Sequence, residues 1–245
     1  MTSDVTQTDR VTAETGNLRE LITHARFVLF DFDGPICRLF AGHAAEDIAG
    51  SFVEWLEIRG LSGVLTDEER KYEDPQALLR VVDVRHPGSD LVTEMEERLT
   101  TEELKAASTA MPTPFADPLI RTWTAVGSRL AVTTNNSARM VHEYLDKRGL
   151  LSCFAPHIYG RTRDLGQLKP DPHCLNRALR AMGAAPSEAL MIGDSPADVE
   201  AARQAGVPFL GYARNEVKSN ALRTAGAETV VDSLWPLLEI LRGGR

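Results

Sequence analysis

Apolar residues occur along this chain in short blocks rather than long stripes. "RFVLFD" (26–31), "RLAVTT" (129–134), "HIYG" (157–160), "ALMIGD" (189–194), "PFLGYA" (208–213) and "ETVVDS" (228–233) are each a few residues long. They are rich in β-branched, aromatic and aliphatic side chains, as strands buried on both faces require. Between them the apolar positions recur at helical spacing, with clear starts and stops. "NSARMVHEYLDKRG" begins on an Asn or Ser cap and ends at Gly149. "DPHCLNRALRAMG" sets Asp171 as cap, Pro172 in the first turn and Gly183 as stop; "SPADVEAARQAG" repeats the design with Ser195, Pro196 and Gly206. Strands alternating with helices of this length predict an α/β fold, a doubly wound Rossmann-like parallel sheet with right-handed crossovers.

One interval breaks the alternation. From Arg38 to Met111, "AAEDIAGSFVEWLEIRG", "DPQALLRVVDVRH" and "SDLVTEMEERLTTEELKAAS" carry helical periodicity and no strand ladder. The pattern predicts a helical cap (38–111) inserted after the first strand, with "MPTPFADP" as the return hinge. The core is then 18–37 together with 112–245, with "LRELITHA" as a short helix before the first strand. Residues 1–17 are polar and aperiodic and read as a loose arm.

Composition narrows the partners. The 245 residues are 43% apolar and 25% charged, the balance of an ordinary globular protein. A net charge of −8 with dispersed basic residues argues against nucleic acid and against anionic membranes. No apolar run approaches the ~20 residues that span a bilayer, and the N-terminus lacks a signal-peptide core. Cys37, Cys153 and Cys174 have neither disulfide nor zinc spacing. A cytoplasmic location is the expectation.

In open parallel sheets, ligands sit beyond the carboxyl ends of the strands. There the chain places Asp31 and Asp33, then Thr133, Thr134, Asn135 and Asn136, and then Asp194 with Asp198 one turn on; Lys169 precedes another helix. Clustered carboxylates repel one another, and a hard cation such as Mg²⁺ relieves the repulsion. Beside it, Asp31 can attack phosphorus and Asp33 can trade a proton with leaving group and water. Thr134 can hold phosphoryl oxygens and Lys169 can balance charge.

"DFDGP", "VTTNNS", "LKPDP" and "MIGDSPADVEAA" together resemble the four motifs of the haloacid dehalogenase (HAD) superfamily, over residues 26 to 235. The helical interval resembles its C1-type cap, and the whole is similar to the phosphoglycolate phosphatase-like subgroup. The resemblance implies Asp31 as nucleophile, Asp33 as general acid/base, Thr134 as phosphate hydroxyl and Lys169 as charge-balancing lysine. It implies Mg²⁺ on Asp31, the Asp33 carbonyl and Asp194, with Gly34 and Asn135 beside the phosphate. The expected activity is hydrolysis of a small phosphorylated metabolite through an aspartyl-phosphate. A sugar phosphomutase is the alternative within the superfamily, and a phospho-acceptor signalling module the alternative outside it.

The sequence departs from the usual first motif in "DGPICRLF", where Arg38 replaces a frequent acid. Arg38 can bind a second anionic group of the substrate or pair with cap acids. His43 can couple cap closure to the chemistry or pack the first cap helix. Arg80, Arg85 and His86 are cap candidates for substrate contact, each with a surface reading beside it, and Lys71 or Lys105 would serve only a Schiff-base mechanism. Asp198 reads equally as a capping-box residue or as part of the metal's surroundings. Arg161 and Arg163 can rim the pocket, with a solvated loop as the default reading; Cys37 reads as a packing residue, and Trp55, Trp123 and Trp235 as core or interface aromatics. The "LWPLLEILRGGR" segment reads as a helix on its own core or as a dimer contact.

Overall fold

The computed structural model describes residues 17–243. Most of the predicted arm therefore lies outside the described residues, and helix α1 begins at its last position (17–24). The elements that follow are β1 (Phe27–Phe30), β2 (Cys37–Arg38), α2 (Ala45–Ile58), α3 (Pro75–Arg85), α4 (Asp90–Thr109), β3 (Met111–Pro112), α5 (Ala116–Ala125), β4 (Arg129–Thr133), α6 (Ala138–Lys147) and α7 (Leu151–Phe154). Then come β5 (Ile158–Tyr159), α8 (His173–Met182), β6 (Ala189–Gly193), α9 (Pro196–Ala205), β7 (Phe209–Tyr212), α10 (Glu216–Thr224), β8 (Thr229–Val231) and α11 (Trp235–Gly243). No helix among the described residues is long and apolar enough to cross a membrane.

Six strands form one parallel sheet in the order β5-β4-β1-β6-β7-β8. The strand period of two sorts β1 between the two faces. Val28 and Phe30 enter a cluster with Trp123 of α5, Val141 of α6 and Leu237 of α11, while Phe27 and Leu29 meet Leu175 of α8 and Ala201 of α9. Phe30 packs edge-on against both Trp123 (5.7 Å) and Phe154 (5.9 Å), the offset that ring quadrupoles favour. Trp123 is thus core, as is α11; Trp235 is half-exposed against Phe115.

Register decides where the chemistry lands. Phe30 lies opposite Val132 of β4 and Ile192 of β6, and the Asp31 amide extends the ladder to the Ile192 carbonyl at 2.8 Å. The residues after these three central strands therefore emerge at one level of the rim.

α2, α3 and α4 close around Phe52, Leu56, Leu78, Val82, Met95 and Leu99 as a cluster of their own, which Leu165 and Leu168 join from the segment before Lys169. Asp74 and Ser89 cap α3 and α4. Two features were not legible in the pattern. β2 and β3 pair antiparallel as a two-stranded ribbon at the cap's entrance and exit, where only a hinge was expected. Helix α5 begins inside that hinge, at Ala116. Two predicted caps also shift: α8 starts at His173 with Pro172 before it, although the Asp171 carboxylate still accepts the His173 N–H, and the Ser137 side chain does not cap α6. The α9 capping box of Ser195 and Asp198 forms as expected.

Candidate active site

Asp31 leaves β1 buried at the rim. Its Oδ1 accepts from Lys169 Nζ at 2.8 Å, and the same ammonium donates to the Thr133 carbonyl (3.0 Å) and to Asp198 Oδ1 (2.5 Å). Burial alone would strip Lys169 of its proton, but Asp198 and Asp31 reverse that and raise it well above the ordinary lysine range. Lys169 is therefore a fixed cation between two acids. Its backbone is clamped in turn by Asn135, whose Oδ1 accepts the Lys169 N–H (2.8 Å) and whose Nδ2 donates to the Lys169 carbonyl (3.1 Å).

Asp198 forms the expected capping box and also stands beside Asp31 and Asp194. Oδ2 accepts from the Ser195 hydroxyl and the Ser195 and Asp194 amides, while Oδ1 takes Lys169. Asp31, Asp194 and Asp198 each offer an oxygen within 4.8 Å of the others. Burial raises the Asp31 carboxyl to about 7; Lys169 pulls it down, while the charges of Asp198 and Asp194 push it further up, and burial likewise raises Asp194 to about 6. Two carboxyls raised in this way, with the Asp198 carboxylate beside them, fit a small divalent cation, which restores the charge balance. Gly34 makes the approach possible. Its φ is +115°, and a Cβ there would lie 2.4 Å from the Asp194 Cγ, so only glycine lets the first loop meet the acid.

Asp33 points away from Asp31's partners. Its Oδ1 accepts the Leu39 N–H at 2.8 Å, at the first residues of the cap. Burial raises it to about 6, against that hydrogen bond. The acid trio consists of the carboxylates of Asp31, Asp194 and Asp198, and the Asp33 carboxylate is not part of it.

Thr134 is buried, and the Asn136 N–H donates to its hydroxyl oxygen (3.2 Å) while the hydroxyl donates to Asn136 Oδ1 (3.0 Å). The hydroxyl is held from both sides by Asn136, and a phosphoryl oxygen would compete with Asn136 Oδ1 for its proton. Asp31, Asp33, Thr134, Asn135, Lys169 and Asp194 all line one cavity of about 550 Å³, roofed from the cap by Phe40, Gln76 and Arg80. Arg80 also donates to the Lys169 carbonyl at 2.6 Å.

Other candidates sit elsewhere. His43 pairs with Glu102 (2.7 Å) on the flank of α4 and does not line the cavity. Arg85 forks onto Glu69 with two 2.7 Å contacts; His86 and Arg163 are exposed outside the cavity. Lys71 and Lys105 pair with Glu68 and Glu102 on the surface. Cys37 is wholly buried on β2, a packing residue whose thiol burial pushes up.

Arg161 departs furthest from expectation. Its side chain is 0% exposed, as is that of Glu103 on α4, and the two lock through contacts of 2.8 and 3.1 Å. Arg161 further reaches Glu96, Thr100 and the Asn135 carbonyl, and Glu103 accepts the Ser137 amide (2.9 Å) and the Asn136 side chain (3.1 Å). A solvated loop cation is instead the centre of a closed network behind Thr134. Glu103 and Lys218, whose ammonium meets the Asp194 carboxylate, carried no sequence signal because each finds its partner across long chain separations.

The haloacid dehalogenase-like hydrolase family model matches residues 25–206. A phosphoglycolate phosphatase of Rhodospirillum rubrum is 39% identical over 110 residues, 43% of this chain and 45% of that protein. One from Aquifex aeolicus is 28% identical over 183 residues, 74% of this chain and 81% of that protein. The first of these alignments thus spans under half of the relative's length. Among solved structures, a haloacid dehalogenase-like hydrolase from Streptococcus pneumoniae superposes with a TM-score of 0.62 at 17% identity, covering 91% of this chain and all of that one, a likeness of fold. With the family model covering most of the chain, and the acids, threonine and lysine of its four motifs gathered on one rim, this chain belongs to the haloacid dehalogenase-like hydrolases.

Proposed function

We propose that this protein is a magnesium-dependent phosphatase that hydrolyses a small phosphorylated metabolite through an aspartyl-phosphate. The observation that carries the reading is the Asp31 carboxylate, held by Lys169 at the base of a cavity that Asp33 and Thr134 also line. The ester's phosphoryl group sits against Thr134 and the amides that follow it, with Lys169 balancing its charge. An Asp31 oxygen forms the new P–O bond as the bond to the alcohol breaks, and Asp33 gives its proton to the departing oxygen. Asp33, now a carboxylate, takes a proton from water, which attacks phosphorus and restores Asp31 with release of inorganic phosphate. A group raised to about 6 is suited to both halves of that exchange near neutral pH. Mg²⁺ would be held by Asp31, Asp194 and the Asp33 carbonyl, and supplies neutralisation of the negative charge on the phosphoryl oxygens.

Asp33 is tied to the cap's first turn through the Leu39 amide, so the cap that roofs the cavity also fixes the acid. That link favours an enzyme with a closing cap over a phospho-acceptor module, and His43's engagement with Glu102 removes the cue for a mutase. The names of the curated relatives make 2-phosphoglycolate the first substrate to try. The test is phosphate release from phosphoglycolate, sugar phosphates, nucleotides and amino-acid phosphates, with Mg²⁺ or with EDTA, by wild type, Asp31→Asn and Asp33→Asn. Release that needs Mg²⁺ and disappears in both variants supports the reading. Release that survives Asp31→Asn contradicts it.

A further inference from the structure

Beside the main cavity lies a second one of about 200 Å³, and the two share Asp33, Phe40, Ala45 and Asp194. Three cations from separate elements border it: Arg38 on β2, Arg214 just after β7 and Lys218 in the first turn of α10. Among the described residues, neither Arg38 nor Arg214 has a carboxylate within ion-pair distance. The one side-chain hydrogen bond of Arg38 runs to the Met111 sulfur (2.8 Å), and Arg214 makes none. Acids line this space too. Asp194 is engaged by Lys218, Asp33 by the Leu39 amide, and Glu46 stands on the rim.

We propose that this second cavity receives another anionic group, a carboxylate or a phosphate, borne on the alcohol that leaves. The proposal rests on the phosphatase reading. The leaving oxygen must lie against Asp33, and the Asp33 side chain is part of the wall between the two spaces. Groups a few bonds beyond that oxygen then come within reach of Arg38 and Arg214, whose planar forks match carboxylate and phosphate oxygens. Lys218 adds a coupling. It is paired with Asp194, one of the three acids grouped for a divalent cation, so a cation there competes with Lys218 for that carboxylate. Lys218 released from Asp194 turns to the anion, and each ligand then strengthens the other by the same factor.

Calorimetric titration with phosphonates, which cannot be hydrolysed, tests this apart from turnover. The probes are 3-phosphonopropionate and methylenediphosphonate, compared with propylphosphonate, which lacks the second charge. Charged hydrogen bonds of this kind are worth enough to make the doubly anionic probes bind about tenfold tighter to wild type with Mg²⁺. The tighter of the two tells carboxylate from phosphate. The margin shrinks in Arg38→Gln and in Arg214→Gln and vanishes in the double variant, while propylphosphonate, binding to all of them, reports that the site is folded. Equal affinity for the doubly anionic probes and for propylphosphonate, a margin intact in the double variant, or no binding of any probe by wild type each overturn the proposal. A margin no larger with Mg²⁺ than without it overturns the Lys218 exchange. Turnover of p-nitrophenyl phosphate, measured alongside, reports separately on the phosphatase reading.

Discussion

Where α4 crosses behind Thr134, every charge is answered. Glu103 and Arg161 are fully buried, doubly bonded to each other, and their remaining hydrogen-bonding positions are taken by Glu96, Thr100, Asn135, Asn136 and Ser137. Where the chain enters the cap, Arg38 and Arg214 stand at the edge of a cavity without an acidic partner among the described residues. Both are seams between the helical insertion and the sheet, and both hold arginines. A buried charge is tolerable only when paired, so the first seam must be closed to exist at all. The second is open to solvent, which lets its cations wait for an anion at little cost. Full pairing thus marks a joint that holds the phosphate loop in place, and missing pairing marks a surface that selects what binds.

The sharpest way to break that contrast is to open the closed seam. Arg161→Met leaves the Glu103 carboxylate buried and unanswered, an error that costs about 3–5 kcal/mol in a buried pair. Urea unfolding should show it, and Glu103→Gln/Arg161→Met should recover much of the loss. A single variant as stable as wild type would mean that the network does not hold the seam.

Asp33→Asn is the next effect in size, and its sign depends on pH. The Asp33 carboxyl is raised to about 6 in the fold, against 3.8 as the ordinary value, so its ionisation opposes folding. That opposition is absent below about pH 4 and complete above about pH 6. The variant should therefore melt higher than wild type at pH 8, and the advantage should fade as pH drops from 6 to 4. The gain is at most about 2 kcal/mol, discounted because the carboxyl is partly open to the cavity and because an amide oxygen accepts the Leu39 N–H more weakly than a carboxylate does. A variant less stable than wild type at pH 8 would reverse the assignment.

Glu103→Gln alone keeps an acceptor for the Ser137 amide but loosens the loop that carries Thr134. It should raise KM for a phosphate ester several-fold with a smaller change in kcat, a split that simple destabilisation would not produce. The smallest effect belongs to the open seam. Arg38→Gln and Arg214→Gln should change unfolding free energy by no more than about 0.5 kcal/mol, the range of surface substitutions. A loss of several kcal/mol in either would show that the hinge-side arginines also hold the fold together.

What the sequence made legible follows from where the chemistry lies along the chain. Asp31, Thr134 and Asp194 each follow a short apolar strand, and parallel pairing in register brings strand ends to one rim. Lys169 stands before a helix whose Cys174, Leu175 and Ala178 pack on the sheet. Local signals suffice for all four. Arg161 misled because a charged residue in "GRTRD" has no local mark of burial, and its partner Glu103 lies on another element far back in the chain. The β2–β3 ribbon has two residues per strand, too few for alternation to register. Lys218 and Arg214 follow the last of the familiar segments, and only folding turns them toward Asp194 and the second cavity.

The most direct measurement is to mix the protein with Mg²⁺ and a turned-over phosphate ester, quench in acid within the first turnovers, and map the phosphoryl group by peptide mass spectrometry. The account predicts one acid-stable, base-labile phosphoryl group on Asp31, accumulating further in Asp33→Asn if any turnover remains. Steady release of phosphate with no label on Asp31, or with the label on another residue, would contradict it.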